Sequence, residues 1–470
     1  MLGIKTKESL TNTRELKRTL KLHDLVIFGL IFMAPVAAMS LFGIIANVSK
    51  GHSVLSYFIG FVAMLFTAFS FGKMVEAFPV AGSTYTYAHR ALHPKLGFIA
   101  GWGMLLDYFF IPILTYLISA NFAHALVPSI PIWGWVIIFA VPVTVVNIVG
   151  IEVAAKVNFL FAFLMVVAVF AFVISATHYI VTDDLKLLDI NAVYNPRTFS
   201  IGTVISGAAV VIVAYLGFDA ITTLSEETSV KSNKIGLAIM ITCVIQTIFY
   251  ISVTYLGMVI LKNHTFISNP DTVFFNIAKI AAGTFIQTFI TLMIIVSGVA
   301  SALASQSASS RLLYGMGRDK IIPEKFFGYL HPKFKTPIYN ILLMAVVGIS
   351  GGVIANMQII SDLVAFGGLF GFICVNLSVI NHYYIKNKEK NLLKYLLVPS
   401  IGTIVCLYVL YGLSNLSKLV GICWLVIGIL YLVIRSSLSE EFKSLLTNSK
   451  NQNNNIEEIS FESSKKSELL

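Results

Sequence analysis

The chain has 470 residues, of which 57% are hydrophobic and 12% are charged, with a formal net charge of +10. A soluble globular protein carries roughly 25% charged residues, so this composition excludes that class. Asp, Glu, Lys and Arg are absent from long windows, each comparable to the roughly 20 apolar residues that cross a bilayer as a helix. An outer-membrane β-barrel is excluded as well, because its strands alternate in polarity and these windows are apolar throughout.

The charge-free windows predict an all-α polytopic membrane protein with twelve transmembrane helices, numbered here in chain order as predicted helices 1 to 12. Their approximate bounds are 23–46, 53–77, 96–121, 131–149, 155–177, 200–229, 235–261, 280–311, 337–355, 362–384, 395–414 and 418–435. Residues 1–21 are polar and basic, which predicts a cytoplasmic arm and no cleavable signal. Residues 437–470 are polar and of low complexity, which predicts a disordered cytoplasmic tail.

The basic residues are distributed unevenly between alternate loops. With a cytoplasmic N-terminus, 27 of the 33 lysines and arginines fall in the arm, the tail and the loops on the same side. The six on the other side are Lys50, Lys186, Arg197, Lys262, Lys279 and Lys418. This is the positive-inside pattern, so it places both termini in the cytoplasm and explains the net charge without a nucleic-acid partner.

Predicted helices 1 and 6 contain helix breakers in matching places. Pro35 removes a backbone donor in the middle of helix 1, and Gly217 interrupts helix 6 just after Tyr215. Such kinks are common in membrane helices. Their position in the first and sixth helices is nevertheless what two inverted five-helix halves would produce, and interrupted helices of that kind form the midplane site of a transporter.

Two carboxylates lie within predicted helices. Asp219 comes about 19 residues into helix 6 and Asp107 about eleven residues into helix 3, so at 1.5 Å per residue both lie near the middle of the bilayer. Ionisable residues are costly at that depth and indicate function by default. Each carboxylate has two interpretations: it binds an amine or a proton, or it makes an internal hydrogen bond to another helix.

Predicted helix 8 carries a small residue at every fourth position, including Ser297, Ser301 and Ser305. The repeat indicates close packing against another helix. The same face is also suited to line a polar path, and the residues alone do not separate the two interpretations.

Signatures of enzymes and channels are absent from the sequence. No HExxH, P-loop or CxxC motif occurs, and the histidines are scattered at the ends of predicted helices. No filter loop or ring of charged residues indicates a channel. We therefore expect no catalytic residues, no cofactor and no metal.

Several stretches resemble the amino acid–polyamine–organocation (APC) family of secondary transporters, and the resemblance covers about residues 15–436. The stretches are LLDY (105–108), FPVAGSTYTY (78–87), GFDAITTLSEET (217–228), SRLLYGMGRD (310–319) and HPKFKTP (331–337). Within the family, the residues of these stretches are most similar to those of the bacterial putrescine importers.

The resemblance implies alternating access by a transmembrane domain over 22–436. Its inverted repeats would cover about 22–177 and 200–384, followed by two extra helices over about 395–435. The substrate site would lie between the broken helices 1 and 6, with walls from helices 3 and 8. The substrate-binding residues implied at this site are Ala34, Pro35, Val36, Ser40, Asp107, Tyr108, Tyr215, Gly217, Phe218 and Asp219.

The break in helix 1 departs from the pattern of family members that carry amino acids. Those members have a Gly-rich break whose N–H groups hold the substrate carboxylate, whereas residues 34–38 here read APVAA. We therefore expect a small amine, putrescine-like or polyamine-like, bound by Asp219, with Tyr215 contributing a cation–π contact. Ser40 stands where a putrescine importer would carry an aspartate. A neutral, basic or aromatic amino acid is therefore the alternative substrate, and a nutrient sensor built like a transporter is a further alternative.

The same stretches favour a proton over sodium as the coupling ion. Sodium coupling in the family uses adjacent hydroxyls on helix 8, and the Ser309–Ser310 pair lies too close to the cytoplasmic end. Met165 is a departure from this pattern, because some proton-coupled relatives have at that position a lysine that mimics a sodium ion. Asp219 and Asp107 are the expected proton carriers, and the expected partners are the substrate, the proton and the lipid bilayer of a cytoplasmic membrane.

Overall fold

Two of the long helices begin at capping residues. The helix Pro94–Leu126 has proline in its first turn, where no N–H group is needed, and the His93 ring accepts a hydrogen bond from Lys95 N at 3.2 Å. The helix Met357–Val379 follows Asn356, whose Oδ1 accepts from the N–H groups two and three residues further on. Polar side chains therefore satisfy backbone donors that a helix start leaves free.

The computed structural model of the chain describes residues 20–79, 83–149, 154–262, 269–318, 322–334, 336–354 and 356–438. The α-helices are α1 (Leu22–Met33), α2 (Ala37–Ser40), α3 (Phe42–Val48), α4 (Ser53–Ala77), α5 (Ser83–Ala91), α6 (Pro94–Leu126), α7 (Ile132–Val149), α8 (Ala154–Thr182), α9 (Ile201–Tyr215), α10 (Ser232–Lys262), α11 (Val273–Arg318), α12 (Glu324–Phe327), α13 (Ile338–Ile354), α14 (Met357–Val379), α15 (Val398–Tyr411) and α16 (Asn415–Leu438). A 3₁₀ helix, Asp219–Glu227, follows α9, a short one covers Ile190–Ala192, and π-helical turns cover Ile380–Lys386 and Leu393–Leu397. Most of the predicted arm and tail, 1–19 and 439–470, lies outside the described residues.

Apolar helices long enough to cross a membrane dominate the described chain. Eleven segments meet that requirement, and α13, with 17 residues, is apolar but shorter. The prediction of an all-α polytopic membrane protein is therefore confirmed, whereas the count of twelve stays a prediction. Some helices run beyond the predicted bounds, as does α11, which covers 46 residues with a kink at Gly283. Others do not: α4 has the predicted bounds, and α13 is shorter than predicted.

The packing partners of the helices repeat between the two halves of the bundle. For this comparison, positions 1 to 10 are α1–α3, α4, α6, α7, α8, α9 with its 3₁₀ helix, α10, α11, α13 and α14. Helix α4 packs against α9 as α10 packs against α1, and α6 packs against α14 as α11 packs against α8. Adding or subtracting five positions thus converts one contact into another, as two five-helix repeats would require.

Glycines bring two central helices into backbone contact. A Cβ atom added at Gly72 of α4 would lie 2.9 Å from the Cα of Gly236 in α10. Small residues at such crossings let helices approach closely in lipid, where van der Waals packing drives association. The pair therefore fixes the spacing of α4 and α10, which lie at equivalent positions of the two halves.

Both ends of the described chain lie at one end of the bundle, here called the terminal face. Ser229, after the 3₁₀ helix, donates from its N–H group to the Leu20 carbonyl at 2.9 Å. Phe98, in the first turns of α6, stacks on Tyr431 near the end of α16, with ring centroids 6.1 Å apart. The other end of the bundle is called the opposite face.

We predict that Gly72→Ala destabilises the protein by about 1–3 kcal/mol, the usual cost of overpacking. The added methyl group meets helix backbone, which cannot rotate away as a side chain would. Unfolding of the purified protein in mixed detergent micelles measures the effect.

Gly202→Ala is the matched control for this substitution. Gly202 is an exposed residue of α9, and its nearest neighbour would be Ser200 Oγ at 3.6 Å. Alanine is favoured over glycine there by up to about 1 kcal/mol, so this variant should be as stable as the wild type or more so. Equal stability losses in the two variants would contradict the role of Gly72.

Candidate functional site

The first transmembrane segment is interrupted at Ala34 and Pro35. Helix α1 ends at Met33, Ala34 has a positive φ of 53°, and α2 starts at Ala37. A residue before proline is disfavoured in the α region, and proline itself has no N–H group to continue the ladder. The interruption therefore leaves backbone carbonyls of α1 without their usual helical partners.

The sixth segment is interrupted at Gly217. Helix α9 ends at Tyr215, and Gly217 has a φ of 115°, which a residue with a side chain rarely adopts. A Cβ atom at Gly217 would lie 2.2 Å from Cδ1 of Phe32 in α1. Glycine is required here both for the backbone conformation and for the contact between the two interrupted segments.

Tyr250 of α10 joins the two breaks. Its hydroxyl oxygen lies 2.6 Å from the Met33 carbonyl and 2.7 Å from the Ala214 carbonyl, and it accepts a hydrogen bond from Gln246 Nε2 at 2.8 Å. A tyrosine hydroxyl has one proton, so these two carbonyls share a single donor. Tyr250 is fully buried, and the link therefore holds both broken segments against α10.

A cavity of about 90 Å³ lies between the breaks and the helices α6 and α11. Its lining includes Ala34 and Ser40 from the first segment and Leu216 from the sixth. Four further hydroxyl-bearing residues reach it from α6 and α11: Thr115, Ser297, Ser301 and Ser305. The cavity is therefore lined by apolar carbon atoms and by hydroxyl groups, which both donate and accept hydrogen bonds.

The serine repeat of α11 serves both purposes that its spacing suggests. Ser297, Ser301 and Ser305 line the cavity. On a neighbouring part of the helix, a Cβ atom at Gly298 would lie 2.1 Å from the Ser119 hydroxyl of α6. Close packing against α6 and a polar lining thus come from one small-residue stretch.

Two buried carboxyl groups form a separate cluster nearer to the terminal face. Asp107 and Asp219 are buried and interact electrostatically with each other, and both interact with Tyr108. Along α6, Asp107 lies eight residues before Thr115, about 12 Å closer to the terminal face at 1.5 Å per residue. Among the described residues, no lysine or arginine lies within ion-pair distance of either carboxylate.

The two carboxylates differ in how they are satisfied. Oδ1 of Asp219 accepts from the N–H group of Gly217 at 3.3 Å, and the backbone N–H groups at the start of its own 3₁₀ helix also face it. Oδ1 of Asp107 is buried without a hydrogen-bond partner in the described chain. Because the start of a helix carries partial positive charge, Asp219 is the better stabilised anion, and Oδ1 of Asp107 is the carboxylate oxygen left without a hydrogen-bond partner in the described chain.

An aromatic cluster packs beneath the second break. The Phe218 ring lies 5.5 Å from that of Phe71 and 5.1 Å from that of Phe372, and Tyr87 of α5 packs on Phe71 at 6.1 Å. All four residues are fully buried. This cluster adjoins Asp219, and two of its members lie toward the terminal face: Phe71 near the end of α4 and Tyr87 in α5, just before α6.

The structure divides the expected site residues between these features. Ala34 and Ser40 line the cavity, while Pro35 and Val36 form the turn behind it. Asp107, Tyr108 and Asp219 form the carboxylate cluster, and Phe218 belongs to the aromatic cluster. Tyr215 donates to or accepts from Thr247 of α10 at 2.7 Å, so its hydroxyl is bound away from the cavity.

Tyr250 and the cavity hydroxyl of Thr115 are functional groups that were not predicted from the sequence. A signal for Tyr250 was present: α10 has no charge in its apolar part, yet it carries polar residues at every fourth position, Thr242, Gln246, Tyr250 and Thr254. A polar stripe on an otherwise apolar helix indicates a buried face that must satisfy other groups.

We predict that Tyr250→Phe lowers the free energy of unfolding by about 1–3 kcal/mol, because two buried carbonyls lose their donor. Denaturation in mixed micelles measures the change. Tyr116→Phe is the matched control, since the hydroxyl of Tyr116 is buried without a hydrogen-bond partner in the described residues. A loss for Tyr250→Phe no larger than for Tyr116→Phe would show that the link contributes nothing.

The chain is similar in sequence to several known transporters. The chain is 33% identical over 431 residues to the low-affinity putrescine importer PlaP of Escherichia coli (strain K12), covering 90% of this chain and 94% of that protein. It is 24% identical to the methylthioribose transporter of Bacillus subtilis (strain 168), covering 91% and 95%. It is 25% identical to the branched-chain amino acid permease BcaP of Lactococcus lactis subsp. cremoris (strain MG1363), covering 88% and 93%.

A family model gives the same assignment over most of the sequence. The model described as amino acid permease matches residues 25–445, a range that includes both breaks, the cavity and the carboxylate cluster. With its helical, multi-pass architecture, the chain therefore belongs to the amino acid permease family of APC transporters.

Proposed function

We propose that this transporter imports a small amine of the putrescine type across a cytoplasmic membrane, by alternating access and with proton symport. The supporting observation is the pair of buried carboxylates, Asp107 and Asp219, which lie beside the helix breaks without a cationic partner in the described chain. In this proposal, the missing cation is the substrate.

The charge of the carboxylate pair favours a cationic substrate. Burying an unpaired carboxylate costs several kcal/mol, and that cost is offset by a nearby opposite charge, by hydrogen bonds to the carboxylate or by a proton. Asp219 already receives backbone donors, whereas Oδ1 of Asp107 has none. An ammonium group, with three donors and no acceptor, supplies both the charge and the hydrogen bond that Asp107 lacks.

The backbone of the first break offers little to a substrate carboxylate. The N–H groups of Ala34, Ala37, Met39 and Ser40 already donate to carbonyls within the segment, at 2.9–3.3 Å. Pro35 has no N–H group. An amino acid would therefore find few free donors for its carboxylate, and this favours an amine whose ammonium groups need acceptors.

The central cavity suits a small solute. Its volume of about 90 Å³ is several times the roughly 10–15 Å³ of cavity volume that suffices for one water. Its hydroxyls, including that of Ser40, can accept from an ammonium group. A diamine with one end at these hydroxyls and the other at the carboxylate cluster would use both features.

Proton coupling follows from the same pair. Two ionised carboxylates that interact in a medium of low dielectric repel each other, and either a bound cation or a proton relieves the repulsion. Asp219 and Asp107 are therefore the proposed proton carriers. If the carboxylate pair alternates between a protonated and a substrate-bound state, transport of the substrate is coupled to the proton gradient.

The orientation follows from the positive-inside pattern. With the terminal face in the cytoplasm, substrate enters from the opposite face. The aromatic cluster of Phe71, Phe218 and Phe372, with Tyr87, then blocks the cytoplasmic exit, and its rearrangement would open that exit.

An amino acid is the second candidate, because the family model and the relative BcaP are both named for amino acid transport. The N–H groups of Val36 and Ala38 are not among the four bonded donors named above, and they are the ones at the break that could still meet a substrate carboxylate. A sensor that binds its ligand without transport is a third candidate, and a flux measurement separates it from the other two.

We predict that proteoliposomes with an imposed inward proton gradient take up labelled putrescine, and that a protonophore stops the uptake. Asp219→Asn should reduce this uptake at least tenfold. Asparagine keeps an oxygen that can accept from the N–H group of Gly217, but it has no negative charge and cannot take up or release a proton near neutral pH. Parallel assays with neutral, basic and aromatic amino acids test the alternative substrate.

Asp362→Asn is the matched control for Asp219→Asn. Asp362 is also buried, but its Oδ2 accepts from Ser414 N at 3.1 Å, away from the breaks. This variant should keep most of the uptake. Normal uptake by Asp219→Asn would refute the role of that carboxylate, and amino acid uptake without putrescine uptake would refute the proposed substrate.

A further inference from the structure

A second and larger cavity lies at the opposite face. It has a volume of about 430 Å³ and shares no lining residue with the central cavity. The end of α6 contributes Asn121 and His124, the first turn of α7 contributes Trp133, and Asp271 comes from the turn before α11. The junction of α13 and α14 completes the wall.

Asp271 is the acidic residue of this lining, and within the described chain its carboxylate has no counter-ion. Its own N–H group donates to Asn269 Oδ1 at 3.0 Å, which fixes the turn. None of the ion pairs in the described chain includes Asp271. Burial raises the pKa of Asp271 above the ordinary value for an aspartate, and a bound cation would offset that cost of desolvation.

Two polar neighbours of Asp271 in this cavity, His124 and Asn121, present hydrogen-bond acceptors, whereas Asn356, whose Oδ1 already accepts from Gln358 N and Ile359 N, presents its Nδ2 donors. His124 Nδ1 lies 2.7 Å from the Ile130 carbonyl; since a carbonyl only accepts, Nδ1 carries the proton, and in the neutral ring Nε2 is an acceptor. Asn121 donates from Nδ2 to the Leu117 carbonyl at 2.9 Å, which leaves its Oδ1 as an acceptor. The side of the cavity formed by Asp271, His124 and Asn121 therefore suits a hydrogen-bond donor with positive charge.

The remaining lining distinguishes an organic cation from a metal ion. Trp133 is 56% exposed and offers an indole face, a good partner for an ammonium group. Calcium and magnesium prefer six or more oxygen ligands, several of them from carboxylates or water. One carboxylate beside an indole and apolar side chains suits an alkylammonium ion better.

We propose that this cavity is a separate binding site, on the opposite face, for an organic ammonium ion, with the Asp271 carboxylate as its anchor and Trp133 as its aromatic wall. The site is distinct from the central cavity and from the Asp107–Asp219 pair. Its occupancy does not require that the bound amine be the solute that the protein transports.

The test uses tryptophan fluorescence of the full-length protein in lipid nanodiscs, titrated with putrescine and with n-butylamine. Both amines should change the emission of the wild type and leave that of Trp133→Phe unchanged. Asp271→Asn should raise the half-saturating concentration about tenfold, the effect of losing about 1.4 kcal/mol. Asp271→Glu, which keeps the charge, should restore most of the affinity.

Matched variants separate this site from general charge effects and from the central site. Asp184→Asn removes one charge from an exposed position in another loop of the same face, and it should titrate as the wild type does. Asp184 has a φ of 53°, a conformation that asparagine tolerates. Asp219→Asn should also keep the fluorescence response, even where it abolishes uptake.

Several outcomes would overturn the proposal. They are a response that persists in Trp133→Phe, an unchanged titration in Asp271→Asn, an equal response to n-butanol, and loss of the response in Asp219→Asn. A failure of the proposed transport has a different signature: putrescine uptake is absent, while the Trp133 response and its dependence on Asp271 remain.

Discussion

The architecture depends on one requirement: backbone groups freed inside a membrane must find partners within the protein. An unpaired carbonyl in hydrocarbon costs several kcal/mol, and the breaks at Pro35 and Gly217 free such groups in two helices. The Tyr250 hydroxyl meets part of that requirement, because it lies within hydrogen-bond distance of one carbonyl at each break. The breaks are therefore held together by a third helix, and the cavity forms beside the place where they meet.

This arrangement places the neutral polar groups and the charged groups of the site in different parts of the membrane-spanning bundle. Close to the breaks, hydroxyl groups surround a small cavity, and neutral groups of this kind are inexpensive to bury. Toward the terminal face, two carboxylates supply charge and interact with each other and with Tyr108, and one of them, Asp219, also faces backbone N–H groups. The expensive charges thus lie where helix starts and close packing can support them, with Gly367 of α14 directly against the Asp107 backbone.

Much of this fold could be predicted from the sequence, because a membrane imposes simple rules. Charge-free windows indicate helices, and Pro35 and Gly217 indicate breaks by local chemistry alone. The role of Tyr250 could not be predicted, since a hydroxyl on an apolar helix has many potential partners and only the tertiary arrangement selects them. The division between cavity and carboxylate cluster was hidden for the same reason: Asp107 and Thr115 belong to one helix, and their different surroundings come from other helices.

The Tyr250 link also has a consequence for biosynthesis. Met33 and Tyr250 are 217 residues apart, so at about 5–20 residues per second the Met33 carbonyl waits roughly 10 to 40 seconds for its partner to be synthesised. During that interval, it is unfavourable for the first broken helix to lie in lipid, because its freed carbonyl has no hydrogen-bond partner. It must remain beside the insertion machinery or a water-filled path until α10 arrives, so the order of helix insertion is linked to the chemistry of the finished site.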